Sequence, residues 1–86
     1  MDEPISHKSG LARRIATGLR EARRMRGLTR RELSQRAGVH WTFLEKIERH
    51  SVTIYPHVLR RVAIALDVSP DDLMNGDIVA WPVSAD

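Results

Sequence analysis

The stretch from Thr29 to Arg49 constrains the fold more than any other part of this chain. It carries two short apolar patterns of helical period with one glycine between them. Thr29 suits the cap of a first helix, and Glu32, three residues on, suits the second half of a capping box. Leu33 and Ala37 give that helix an apolar stripe at i, i+4. Gly38 falls where the helix must stop and the chain must turn, a place that favours a residue tolerant of positive φ. A second stripe follows at Val39, at Phe43 or Leu44, and at Ile47. Ser34 is small where the two helices would approach. The pattern predicts helices over about 30–37 and 41–49, crossing steeply around a tight turn. No enzyme site needs such a pair.

The flanking sequence predicts three more helices. One starts after Ser9 and runs to Arg26, with Leu11, Ile15, Leu19 and Ala22 on its buried face. Gly27 ends it. The linker 50–55 sends Ile54 to the core. Pro56 suits the first turn of a fourth helix, whose stripe is Leu59, Val62, Ala63 and Leu66. Ser69-Pro70-Asp71-Asp72 opens a fifth, with acids at the positive end of its dipole, and Asn75-Gly76 stops it. The expected fold is all-α: one compact domain of five short helices over residues 11–76. Residues 1–10 are polar, hold Pro4 and show no period, so they read as a flexible arm. The segment 77–86 is too apolar for a solvated tail. Its Ile78, Val79, Trp81 and Val83 either fold back on the domain or cover a second subunit.

Eighty-six residues bury a modest core, so such a domain can lean on a partner for stability. The chain has no cysteine, which excludes disulfides and thiolate metal sites and agrees with a reducing cytoplasm. No apolar run approaches membrane-spanning length, and the N-terminus lacks the apolar stretch of a signal peptide. A net charge of +3 understates the asymmetry. Residues 8–31 hold Lys8, Arg13, Arg14, Arg20, Arg23, Arg24, Arg26, Arg30 and Arg31 against the single acid Glu21. Residues 67–86 hold only acids among their charged side chains. A basic half facing a polyanion with an acidic half turned away suits a nucleic-acid binder. His7, His40, His50 and His57 lack the spacing of a ligand pair on one helical turn, so no metal or other cofactor is expected. No motif sets a nucleophile on an elbow or a glycine-rich loop on a phosphate, so no catalysis is expected.

Three blocks in order resemble the Cro/repressor-type, lambda-repressor-like helix-turn-helix family. They are Gly27-Leu28-Thr29-Arg30-Arg31-Glu32-Leu33, Ala37-Gly38-Val39-His40, and Leu44-Glu45-Lys46-Ile47-Glu48-Arg49. The resemblance runs on through Leu59 to Leu73 and covers about residues 11–76. Within the family, His40-Trp41-Thr42-Phe43-Leu44 is most similar to the restriction-modification controller branch, where His-Arg-Thr-Tyr-Ile is common. His50 stands where the family usually has glycine.

The resemblance implies a cytoplasmic bacterial or phage regulator that binds double-stranded DNA as a homodimer. It also implies residue roles. The third helix would read bases through His40, Trp41, Thr42 and Lys46, with Glu45 nearby. Thr42 can bond a base or touch a thymine methyl, and Lys46 can reach guanine O6 and N7. Trp41 has one donor and no acceptor. It either touches a thymine methyl or the backbone wall, or packs against Phe43 or the second helix. Arg30 would bind a phosphate beside the start of the second helix, with Arg31 and Arg49 as further phosphate contacts. Arg13, Arg14 and Arg20 would lie nearer the periphery. Arg23 and Glu48 match a structural ion pair of phage repressors. Dimers of the resembling controllers meet at the fifth helix, which points to the tail as a dimer contact. Two rival readings use the same fold: the antitoxin of a toxin–antitoxin pair, and a protein-interaction module. A regulator would also meet RNA polymerase, by occlusion or by contact.

Overall fold

In the computed structural model, which describes residues 3–75, the central pair of helices is α2 (Arg30–Ala37) and α3 (Trp41–Glu48). Thr29 caps α2 by accepting from the Glu32 N–H, and the Glu32 carboxylate accepts in return from the Thr29 N–H at 2.8 Å. Those bonds from Thr29, with the nearby Arg36 charge, hold the Glu32 carboxyl below its ordinary value. Gly38 then takes φ 69°, ψ 32°, the left-handed conformation that lets the chain turn into α3. Leu44, not Phe43, supplies the buried position of the second stripe; Phe43 packs half-buried against the core.

Three helices surround this pair: α1 (Gly10–Met25), α4 (Pro56–Leu66) and α5 (Pro70–Asn75). Helix α1 packs against α5 and α3, α2 against α3 and α4, and α4 against α5. Ser9 caps α1, and Pro56 opens α4. Ile15, Leu19, Leu33, Leu44, Ile54, Leu66 and Leu73 fill the centre. The buried face of α1 is Ala12, Ile15, Ala16, Leu19 and Ala22, whereas Leu11 is only half-buried at the rim. Gly18 is buried on the same face. Among the described residues, two other than glycine take a left-handed backbone: His50 (φ 46°), where the chain leaves α3, and Asp67 (φ 59°), which ends α4.

Within the segment read as a flexible arm, Ile5 is held to the fold. Ile5 pairs with Ile54 in a single antiparallel bridge, its N–H 2.7 Å from the Ile54 carbonyl and the return bond 2.9 Å. The Ile5 side chain packs half-buried on the core. One aliphatic residue among polar neighbours has no period to read, and its partner lies beyond three helices. The proposed tail contacts Ile78, Val79, Trp81 and Val83 lie outside the described residues. Among the described residues, no helix is long and apolar enough to cross a membrane.

Among the described residues, the basic and acidic stretches of the sequence are neighbours in space. Basic α1 and acidic α5 pack side by side. Arg30 and Arg31 stand in the first turn of α2 and Lys46 in the last turn of α3, while Arg13, Arg14 and Arg24 stay exposed on α1.

Candidate nucleic-acid interface

Helix α3 is amphipathic in a way that separates structure from surface. Leu44, Ile47 and Glu48 are buried, while Trp41, Thr42, Glu45 and Lys46 are half or fully exposed. Trp41 with Glu45, and Thr42 with Lys46, stand one turn apart on the outer side. Lys46 makes no ion pair among the described residues. Glu45 pairs with Arg49 at 3.3 Å on the surface, so a proposed base reader and a proposed phosphate contact hold each other in the free protein. Such exposed pairs are worth only about 0–1 kcal/mol and yield readily to a phosphate.

The start of α3 is organised by His40. Its backbone is extended (φ −61°, ψ 140°), and its Nδ1 accepts from the Thr42 N–H at 3.2 Å, capping the helix. Its ring stacks on Trp41, with centroids 6.1 Å apart and planes at 25°. The Arg31 guanidinium lies over the Trp41 ring, 5.1 Å from its centroid. Trp41 thus packs on α2 through a cation–π contact and stays half-exposed.

An open cleft of about 510 Å³ lies between the starts of α2 and α3, lined by Arg23, Thr29, Arg30, Arg31 and Trp41. Glu48 forms its buried electrostatic anchor. The carboxylate is 1% exposed and accepts from Arg23 Nε at 2.8 Å and Arg23 Nη2 at 3.2 Å. Arg30 Nε, from α2, lies 3.1 Å from the same carboxylate. Arg23 also donates to the Leu28 carbonyl at 2.9 Å. One carboxylate therefore ties α1 and α2 to α3. The 40%-exposed Arg30 spends only Nε there, which leaves its terminal amino groups for another partner.

Two structural roles escape the sequence. Arg20, assigned to the periphery, donates Nη2 to the Glu48 carbonyl at 2.8 Å, a cation at the negative end of α3. Its spacing of three from Arg23 is the one hint that both face α3. Arg26 donates to the Leu66 carbonyl at 3.3 Å and approaches Asp67 at 3.6 Å, joining the ends of α1 and α4. Of the basic run 8–31, Arg20, Arg23 and Arg26 therefore tie helices of the domain together, Arg26 at the surface. The described histidines, carboxylates and their neighbours form no cluster able to hold a metal ion.

A helix pair turning at a left-handed glycine, its second helix exposed at the start and flanked by an arginine-lined cleft, defines a helix-turn-helix DNA-binding domain of the transcription-regulator type. The chain belongs to the helix-turn-helix domain family, whose model matches residues 18–77. The structure is similar to that of the restriction-modification controller protein C.AhdI from Aeromonas hydrophila. There the identity is 26%, the TM-score 0.70, and the match covers 72% of this chain and 94% of that one. It is also similar to the clp gene regulator ClgR from Corynebacterium glutamicum, at 28% identity, TM-score 0.74 and coverage of 80% and 73%. A transcriptional regulator from Vibrio cholerae matches at 28% identity and TM-score 0.72, over 78% of this chain and 38% of that one. No curated protein matches the sequence significantly.

Proposed function

We propose that the protein regulates transcription by binding a pseudo-palindromic operator in double-stranded DNA as a homodimer, with α3 of each copy in the major groove. Repression follows where the occupied operator excludes RNA polymerase. The observation that carries this reading is the outer side of α3, where His40, Trp41, Thr42, Glu45 and Lys46 stand at the surface while the opposite side locks into the core. Arg30, Arg31 and Arg49 flank it as phosphate contacts. The similarity to the C.AhdI controller and to the ClgR regulator supports the same class of activity.

A dimer follows from length. Eight residues make a helix about 12 Å long, which faces about four base pairs. Four base pairs recur about once in 256 by chance, too often to define a site, and a second copy supplies the other half. Two copies related by a two-fold axis place their reading helices about 34 Å apart on one face of the duplex.

Arg30 tests the phosphate side of this reading. Arg30→Ala should weaken binding to specific and unrelated duplexes alike and lower the salt slope of binding by about one unit. The fold should survive, because Glu48 keeps Arg23. Titrations over a salt series measure both quantities; a loss confined to the specific site would make Arg30 a base reader instead.

The tail tests the assembly. Helix α4 leaves Ile64 77% exposed. Residues Ile78, Val79, Trp81 and Val83 follow α5 closely in sequence and offer an aromatic anchor among aliphatics, the usual make-up of an interface core. Deleting residues 77–86 should give a folded monomer that binds a half-site weakly and without cooperativity. Sedimentation at micromolar concentration decides: a truncated chain that still runs as a dimer places the contact elsewhere.

A further inference from the structure

We infer that His40 fixes the hydrogen-bonding sense of the Thr42 hydroxyl and thereby selects an amino-bearing base, adenine or cytosine, at the position Thr42 meets. This inference rests on the proposal that Thr42 faces base edges. Its chemistry begins at one nitrogen. The Thr42 N–H lies 3.2 Å from His40 Nδ1 in hydrogen-bonding geometry. An amide N–H only donates, so Nδ1 accepts, and the ring proton of the neutral imidazole sits on Nε2. The Thr42 Oγ1 lies 2.6 Å from the same Nδ1. An unprotonated Nδ1 has nothing to give, so the hydroxyl is the donor in that contact.

A threonine hydroxyl has one proton and two lone pairs. With the proton committed to His40, Thr42 shows the groove an acceptor only. In the major groove, adenine N6 and cytosine N4 donate, whereas guanine O6 and N7 and thymine O4 accept. An acceptor-only oxygen bonds the first two and is repelled by the others. An unconstrained threonine, free to turn its hydroxyl, bonds either kind. The imidazole is itself braced by its stack on Trp41, which carries Arg31 on its ring. His40 is thus a positioning residue: it acts on the base through Thr42.

The test begins from a duplex selected by the wild-type protein, with every base pair replaced in turn. Thr42→Val identifies the position, as the base pair at which its preference profile goes flat. There the wild-type protein should favour adenine or cytosine in the contacted strand by on the order of tenfold over guanine or thymine. His40→Ala should shrink that preference to within about twofold, because the hydroxyl then turns freely. Loss of the cap alone would weaken all sequences equally and move no preference. His40→Ser keeps a capping oxygen but donates as readily as it accepts, so it should relax the profile even if the alanine variant does not fold. His40→Asn should restore it, since its amide oxygen can accept from both the N–H and the hydroxyl. A wild-type preference for guanine or thymine at this position overturns the inference. So does an unchanged preference in His40→Ala or His40→Ser when Thr42→Val has flattened it. If Thr42→Val alters no position, the base-facing role of Thr42 itself has failed, and the inference falls with it.

Discussion

Replacing Glu48 with alanine should lower the unfolding free energy by about 3–5 kcal/mol, the largest effect expected of any surface-remote polar substitution here. The side chain is 1% exposed and receives three hydrogen bonds from two guanidiniums. Removing it strands the Arg23 charge, whose side chain is only 11% exposed, where water reaches poorly. Arg30 suffers less, because it can swing into solvent. The cost is therefore mainly that of one orphaned buried cation and not the sum of two lost pairs. The double substitution Arg23→Met with Glu48→Leu should cost less than Glu48→Ala alone, since apolar groups of similar volume leave no unpaired charge. Denaturant unfolding followed by circular dichroism measures both. A loss below about 1 kcal/mol in Glu48→Ala would mean that water already solvates the cluster.

Thr42→Ala and Lys46→Ala should each cost about 1–3 kcal/mol at the preferred site, with a smaller change on unrelated duplexes. The two side chains stand one turn apart on the outer side of α3, so on the proposed reading they would meet neighbouring base pairs and their losses need not add. Neither is buried, so the melting temperature should hold. That separates a reading defect from a folding defect, which Glu48→Ala does not. Unchanged operator affinity in both variants would remove α3 from the reading role.

The features legible in the sequence are those decided within a few residues. The Thr29–Glu32 box, the left-handed turn at Gly38, Pro56 at the start of α4 and the stop after α1 all depend on local backbone chemistry. The features that were not legible depend on where distant elements meet. The sequence points Arg30 to phosphate and to the head of α2, but its Nε bond to Glu48 arises only because α1, α2 and α3 converge on one carboxylate. Arg20 reaches the end of α3 for the same reason. A long arginine side chain has several carbonyls and carboxylates within reach, and sequence does not rank them. The sequence points His40 to the groove, and nothing in the pattern marks it as a helix cap, because histidine is not among the favoured capping residues. The sequence pattern puts Leu11 on the buried face of α1 because leucine reads strongly. The true stripe is shifted toward Ala12 and Ala16, whose small side chains matter for close packing and barely register as apolar pattern.

Selection of bound duplexes from a random pool tests the central claim most directly, that paired α3 helices read sequence in the major groove. The expected product is one inverted repeat whose half-site centres lie about one helical turn apart, about 10 base pairs. Its occupancy should fall steeply as salt rises. A pool that emerges without an enriched motif, or binding that salt leaves unchanged, would contradict a sequence-reading helix on a phosphate-bound domain.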